Sequence, residues 1–493
     1  MSSELKKDLK DLGKHSLIYG VGNLMQKIGA ILMLPIYTQF LTTHEYGLKE
    51  LVGISTDVIA ILLASALSGS FYRFYFAYDD EDEKKEVVST ILLAVGGIGL
   101  IAVALLAFTT KKMAGVILDD PSLYHYFLIS FASLWFQTLN GIGYSFLKAN
   151  KKSYKFVFLS LIKMVLVIGL NIYFVAFLKI GVVGVLISTL IAAIIITIIL
   201  IVPLFIDVGL GFSLKKLREI LKFGLPIIPA QFGAFIVHLS DRFFIKEYAS
   251  IAEAGIYSLG YRFGALPANF ISDPFNQIFQ PKRMEIYKKK DASYLFGKIF
   301  TYYLVIMAFA ALIVAILTKE VLMIMANQEF WAAYEIVPII VLATTIFSFH
   351  YHLDVGIIMA KKTKYLAYVN LSNAALVIVL NFLLIPPYGV YGAAWATLIA
   401  FIYKGVLTYY FSSRYFKVSF EITRLLKLTI IVVLIYAGAD LIQIESPYTS
   451  FIVRTLYIFA VYPLLMHLFG FFSQAERKMI VETIKNRKLT GFS

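Results

Sequence analysis

Apolar runs of 20 residues or more recur along this chain from one end to the other, and they leave it little choice of solvent. A helix rises about 1.5 Å per residue, so about 20 apolar residues cross the hydrocarbon of a bilayer. Within that layer every backbone N–H and C=O must be satisfied inside the protein, which leaves helices or closed barrels. Runs this long suit helices. Composition agrees: 59% of the 493 residues are hydrophobic and only 15% are charged, against about 25% charged in soluble domains. The chain reads as an all-α integral membrane protein.

Fourteen transmembrane helices are predicted, at about 16–41, 46–76, 87–108, 122–147, 154–177, 181–205, 219–246, 253–280, 294–317, 331–359, 365–385, 389–412, 422–442 and 449–471. An even count puts both termini on one side. The tails and loops of that side hold 27 Lys and Arg, those of the other side 4. The positive-inside rule places both termini in the cytoplasm of a bacterial-type inner (plasma) membrane. Residues 1–15 form a charged amphipathic tail rather than a cleavable signal, and 472–493 a basic one. The net charge of +14 is spread over short loops, so it reflects topology, and nucleic-acid binding is not expected.

The chain repeats itself. "EYGLKEL" at 45–51 aligns with "EAGIYSL" at 253–259, an offset of 208. Arg73 matches Arg283, Lys151 and Lys152 match Lys361 and Lys362, and Asn171 matches Asn381, all at 210. "GVVGVLISTLIA" at 181–192 matches "GVYGAAWATLIA" at 389–400, back at 208. The plan is two six-helix lobes (16–205 and 206–412), helices 13 and 14 (413–471), and the two tails. Both lobes start on the same side, so the repeats are parallel, as in transporters whose site lies where repeats meet.

Polar stripes run along several helices. Helix 8 carries Ser258, Arg262, Asn269, Asp273 and Asn276 at helical spacing, and helix 7 carries Gln231, Phe235, His238 and Arg242. Helix 1 carries Tyr19, Asn23, Lys27 and Tyr37. In lipid such faces must meet protein or water. Asp57 of helix 2 lies about 16 Å in from the outer end, at 1.5 Å per residue. Lys27 is at similar depth, Arg262 farther out and Arg242 farther still. Asp241 turns about 100° from Arg242 and reads as a structural partner.

Other chemistry is thin. There is no cysteine, so no disulfide, thiolate metal site or cysteine nucleophile is available. No Walker-type ATP motif and no G-x-S-x-G occurs. In "FHYHLD" His350 and Asp354 share a helical face while His352 points elsewhere, so no metal site is assigned. The acidic run at 79–83 reads as a solvated loop. Short outer connectors disfavour a membrane-embedded glycan polymerase or acyltransferase.

Over essentially its whole length the chain resembles the polysaccharide-transporter (Wzx-like oligosaccharide flippase) branch of the multidrug/oligosaccharidyl-lipid/polysaccharide (MOP) flippase superfamily. The resemblance rests on the 6+6+2 plan, "LPIYTQFLTTHEYGLKEL" (34–51), "FGLPIIPAQF" (223–232) and "SDRFFIKEYASIAEAGIYSLGYRFG" (240–264). It implies no enzyme, but a flippase carrying polyprenyl-diphosphate-linked oligosaccharide from inner to outer leaflet by alternating access, in lipopolysaccharide or capsule export. Membrane lipids and glycan polymerase machinery are the implied partners. A diphosphate needs cations in place of its hydration, so Lys27, Arg242 and Arg262 are the expected phosphate ligands, with Asn23, Gln231 and Asn269 beside them. Tyr37, Tyr257 and Tyr261 are better read as packing than as sugar contacts. Asp57, Asp241 and Asp273 are candidates for proton or Na⁺ coupling or for charge balance; no other cofactor is expected. Alternatives within the superfamily are a peptidoglycan-precursor flippase and a drug/cation antiporter.

Overall fold

The structure is a computed structural model that describes residues 20, 22 and 25–478, without the side chains of 64–66. The tail at 1–15, Tyr19, Asn23 and the tail beyond 478 lie outside the described residues. No strand occurs among the described residues, and each of the fourteen predicted spans overlaps a helical segment. Nine helices among the described residues are long and apolar enough to cross a membrane, and the second, bent near 64–66, makes ten. The protein is a multi-pass membrane protein.

The starts and breaks follow local chemistry. Helix 2 (Thr43–Tyr75) opens on a reciprocal cap: Thr42 Oγ1 accepts the Glu45 N–H at 3.1 Å, and Glu45 Oε2 accepts the Thr42 N–H at 2.9 Å. Helix 3 (Glu81–Ala107) corrects one expectation. The acidic run is solvated but only its first two residues are loop: Asp80 accepts the Glu83 N–H at 3.0 Å and the next three residues form the first turn. Carboxylates there complement the positive end of the helix dipole. Glu83 and Glu86 also grip the buried Lys216 ammonium, Glu86 at 2.5 Å. Helix 7 comes in three pieces, Leu214–Gly224, Ile228–Leu239 and Asp241–Tyr248. Its first break, a 3₁₀ turn at Leu225–Ile227, falls where Pro226 and Pro229 cannot donate to the preceding turn. Helices 11 and 12 run as Lys364–Ser413, interrupted at Gly389 with φ 52°.

The chain forms two compact units. One comprises Met1–Leu259, Met325–Phe330 and Asn370–Ala396; the other comprises Gly260–Ile324, Trp331–Val369 and Thr397–Ser493. The repeat is visible in backbone geometry. Lys151 and Lys361 both adopt positive φ, as do Gly181 and Gly389. In the first unit Glu45 faces Gly181 and Glu253 faces Gly389. There too a side chain on Gly47 would strike the Ile251 carbonyl, and one on Gly255 would strike the Thr43 carbonyl. These residues pair at the sequence offset of 208, so the two crossings are images of each other.

Packing in the first unit uses small residues and interhelical hydrogen bonds, since lipid supplies no hydrophobic drive between helices. Gly143 of helix 4 (Tyr124–Ala149) lies against Leu200 and Ile201 of helix 6 (Gly181–Val208). Nearby, Asn140 Nδ2 donates to the Ala193 carbonyl at 3.0 Å, and Asn140 Oδ1 accepts from Thr197 Oγ1 at 3.1 Å. In the second unit, helices 9 (Ala292–Met325), 13 (Ile422–Asp440) and 14 (Pro447–Leu468) share a core around Leu312, Ile431 and Ile458. An ion cluster marks each end of helix 14. Beyond its C-terminal end Arg424 grips Glu476 with Nη2 and Nη1, at 2.7 and 3.1 Å, and Tyr302 donates to it at 2.5 Å. At the other end Glu320 meets Arg454 at 3.1 Å and Ser450 at 2.9 Å. Large apolar side chains such as Leu105, Ile206 and Leu441 are exposed, as lipid-facing surfaces require.

Candidate substrate cavity

In the first unit, helix 2 and the middle piece of helix 7 flank an open cleft of about 440 Å³, lined by Asp57, Ile61, Gln231, Phe235, His238 and Leu239. The spacing explains the lining. Asp57 and Ile61 are four apart on one helix, and Gln231, Phe235 and His238 are four and three apart on the other, so each set shares a face. Asp57 and Gln231 are exposed within this space, His238 half-buried. The Asp57 carboxylate has no hydrogen-bond or ion-pair partner among the described residues. A carboxylate, an amide and an imidazole thus converge on an otherwise apolar cleft. They offer acceptors and donors to a hydroxyl-rich ligand, and one site for a proton or small cation.

One turn farther along helix 7 the chemistry is closed. Asp241 and Arg242 are only 4% and 3% exposed. Arg242 Nη1 donates to Asp241 Oδ1 at 2.5 Å and to the His238 carbonyl at 2.7 Å. Its guanidinium lies 4.9 Å over the Tyr257 ring, and the Tyr257 hydroxyl donates to Asp241 Oδ2 at 2.6 Å. Both carboxylate oxygens are engaged, so the two buried charges cancel within a network joining helix 7 to helix 8 (Ile251–Gly264). The cation expected to face a phosphate is placed in the core, with the neighbouring aspartate as its partner.

The remaining predicted residues lie apart. Lys27 is half-buried on helix 1, whose last turns are Leu34–Phe40. Asn23 falls outside the described residues. Arg262, Asn269 and Asp273 belong to the second unit: Arg262 and Asn269 are half-buried, the latter in a π-helical turn at Ala268–Ser272, and Asp273 is exposed. Tyr37 is buried and donates to Asn171 at 3.3 Å. The structure therefore brings Asp57 and Gln231 together, and Asp241 and Arg242 together. His238 joins the first group; its place in the helix 7 stripe was the signal for it. A second buried pair was missed: Arg283, marked only by its repeat partner Arg73, donates to Asp354 at 2.9 Å. His352 is boxed by Phe275, Phe279, Phe300 and Tyr303.

A family model described as a polysaccharide biosynthesis protein matches residues 36–294. The chain belongs to that family. Among solved structures, the family's fold recurs in the lipid II flippase MurJ in an inward closed conformation, at 17% identity and a TM-score of 0.74, covering 92% of this chain and 98% of that one. It recurs in an inward-facing multidrug resistance MATE family transporter of the MOP superfamily, at 14% identity and a TM-score of 0.62, covering 82% and 96%. A Vibrio cholerae MATE transporter mutant matches at 15% identity and a TM-score of 0.55, covering 82% and 96%. No curated protein matches the chain. The fold is shared with these flippases and transporters.

Proposed function

We propose that this protein is a flippase that moves polyprenyl-diphosphate-linked oligosaccharide from the inner to the outer leaflet of a bacterial-type inner membrane, with both termini cytoplasmic. The observation that carries this reading is the polysaccharide-biosynthesis family match over more than half of the chain. The cavity supports it. A glycan crossing hydrocarbon needs hydrogen-bond partners along the way, and Asp57, Gln231 and His238 supply them in a space of about 440 Å³. The half-buried Lys27 and Arg262 are the cations that meet the diphosphate, and Asp57 is the site of proton or Na⁺ coupling.

A second reading, transport of a peptidoglycan precursor, is favoured by the likeness to the lipid II flippase. The two are separated in proteoliposomes loaded with either carrier lipid, by following its arrival in the outer leaflet. The proposal expects the lipid-linked oligosaccharide to move and lipid II to stay. Movement of lipid II alone would replace it with the second reading. In cells, Lys27→Ala or Arg262→Ala should stop surface glycan export while the protein still inserts; normal export from both would remove the cationic part of the proposal.

A further inference from the structure

The second unit holds a separate polar cavity of about 580 Å³, lined among others by Lys319, Glu320, Asp440, Glu445, Ser450 and Arg454. It lies where three helices end. Glu320 is in the last two turns of Ala292–Met325, Asp440 closes Ile422–Asp440, and Pro447 opens Pro447–Leu468. That is interface depth, where lipid headgroups sit, and the neighbouring Leu441 and Tyr448 are exposed, as apolar and aromatic groups at an interface should be.

Two buried atoms belonging to residues that line this cavity are chemically incomplete among the described residues. Glu320 is 3% exposed; one carboxylate oxygen is held by Ser450 and Arg454, but Oε2 has no donor among the described residues. Arg454 spends Nη1 on Glu320 and Nη2 on the Ile442 carbonyl at 3.0 Å, but its buried Nε–H has no acceptor among the described residues. Buried polar atoms are normally satisfied. One missing donor and one missing acceptor on residues of the same lining call for a ligand that carries both. The lining also has three carboxylates against two cations, an excess that favours a cationic group beside any anionic one.

We infer that this cavity binds the headgroup of a zwitterionic phospholipid bearing a primary ammonium, phosphatidylethanolamine. The ammonium donates to Glu320 Oε2 with Asp440 nearby, and a phosphate oxygen accepts from Arg454 Nε with Lys319 nearby. This site is independent of the transport cavity and of the substrate proposed above.

The test uses the full-length protein in detergent and native mass spectrometry, titrating phosphatidylethanolamine, phosphatidylcholine and phosphatidylglycerol. Phosphatidylcholine keeps both charges but has no N–H for Glu320. Losing a hydrogen bond to a buried charge should weaken it by about tenfold. Glu320→Gln should erase the preference for phosphatidylethanolamine; because that change also disturbs Arg454, the exposed Asp440→Asn serves as a second variant and should reduce the preference several-fold. Equal binding of the two zwitterionic lipids to the unaltered protein would overturn the inference, as would an unchanged preference in both variants. Displacement of the lipid by soluble phosphoethanolamine at millimolar concentration would overturn the lipid as the ligand.

Discussion

Asp57 and Asp241 are both membrane-embedded carboxylates of the first unit, and their surroundings are opposites. Asp241 is walled in: Arg242 neutralises it, Tyr257 donates to it, and almost no surface remains. Asp57 opens into a cleft shared with Gln231 and His238. A buried charge whose partners are all protein groups holds a fold together, whereas a charge facing a cavity is available to something that comes and goes. The neighbours set the two roles apart.

The comparison breaks most easily at the closed site. Arg242→Ala leaves the Asp241 carboxylate buried and uncompensated, and should cost on the order of 3 kcal/mol or more. Thermal unfolding in detergent should show the loss, and Asp241→Asn in the same chain should restore part of it. Tyr257→Phe removes one hydroxyl donor and should cost about 1–2 kcal/mol. Glu476 supplies a reference carboxylate beyond the last membrane helix. Hydrogen bonds from Arg424 hold its carboxyl well below the usual range, with Tyr302 and Ser473 adding to the effect. A carboxyl depressed in the folded state stabilises above its unfolded pKa, and that contribution is lost as pH falls. Unfolding temperature should therefore be flat near neutrality and drop below about pH 4.5, the ordinary value. Glu476→Gln should flatten that acid limb. The smallest effect on stability belongs to the open site: Asp57→Asn should stay within about 0.5 kcal/mol of the parent protein.

Much of the fold was legible because the bilayer simplifies the code. Apolar run length gave the helices, and the offset of 208 foretold the paired positions Glu45 with Glu253 and Gly181 with Gly389. Hydrogen bonding between neighbouring elements was less legible. The run at 79–83 is hydrophilic both as a loop and as a helix start, and only Lys216, about 130 residues away in the chain, shows what Glu83 and Glu86 do. The site was half legible for a related reason. Helical spacing set Gln231, His238 and Arg242 on one stripe, but a long side chain can fold back on its own helix. The guanidinium reaches the His238 carbonyl one turn earlier and the adjacent Asp241, which spacing alone cannot foresee. Asp57 was found by depth, and its cleft only by the packing of helix 2 against helix 7.

The most direct test of this division of roles is flipping of polyprenyl-diphosphate-linked oligosaccharide in proteoliposomes, comparing Asp57→Asn with Tyr257→Phe at matched, folded protein. The account predicts that Asp57→Asn abolishes transfer while keeping the parent unfolding temperature, and that Tyr257→Phe lowers that temperature while still transferring lipid. Full transfer by Asp57→Asn would contradict it.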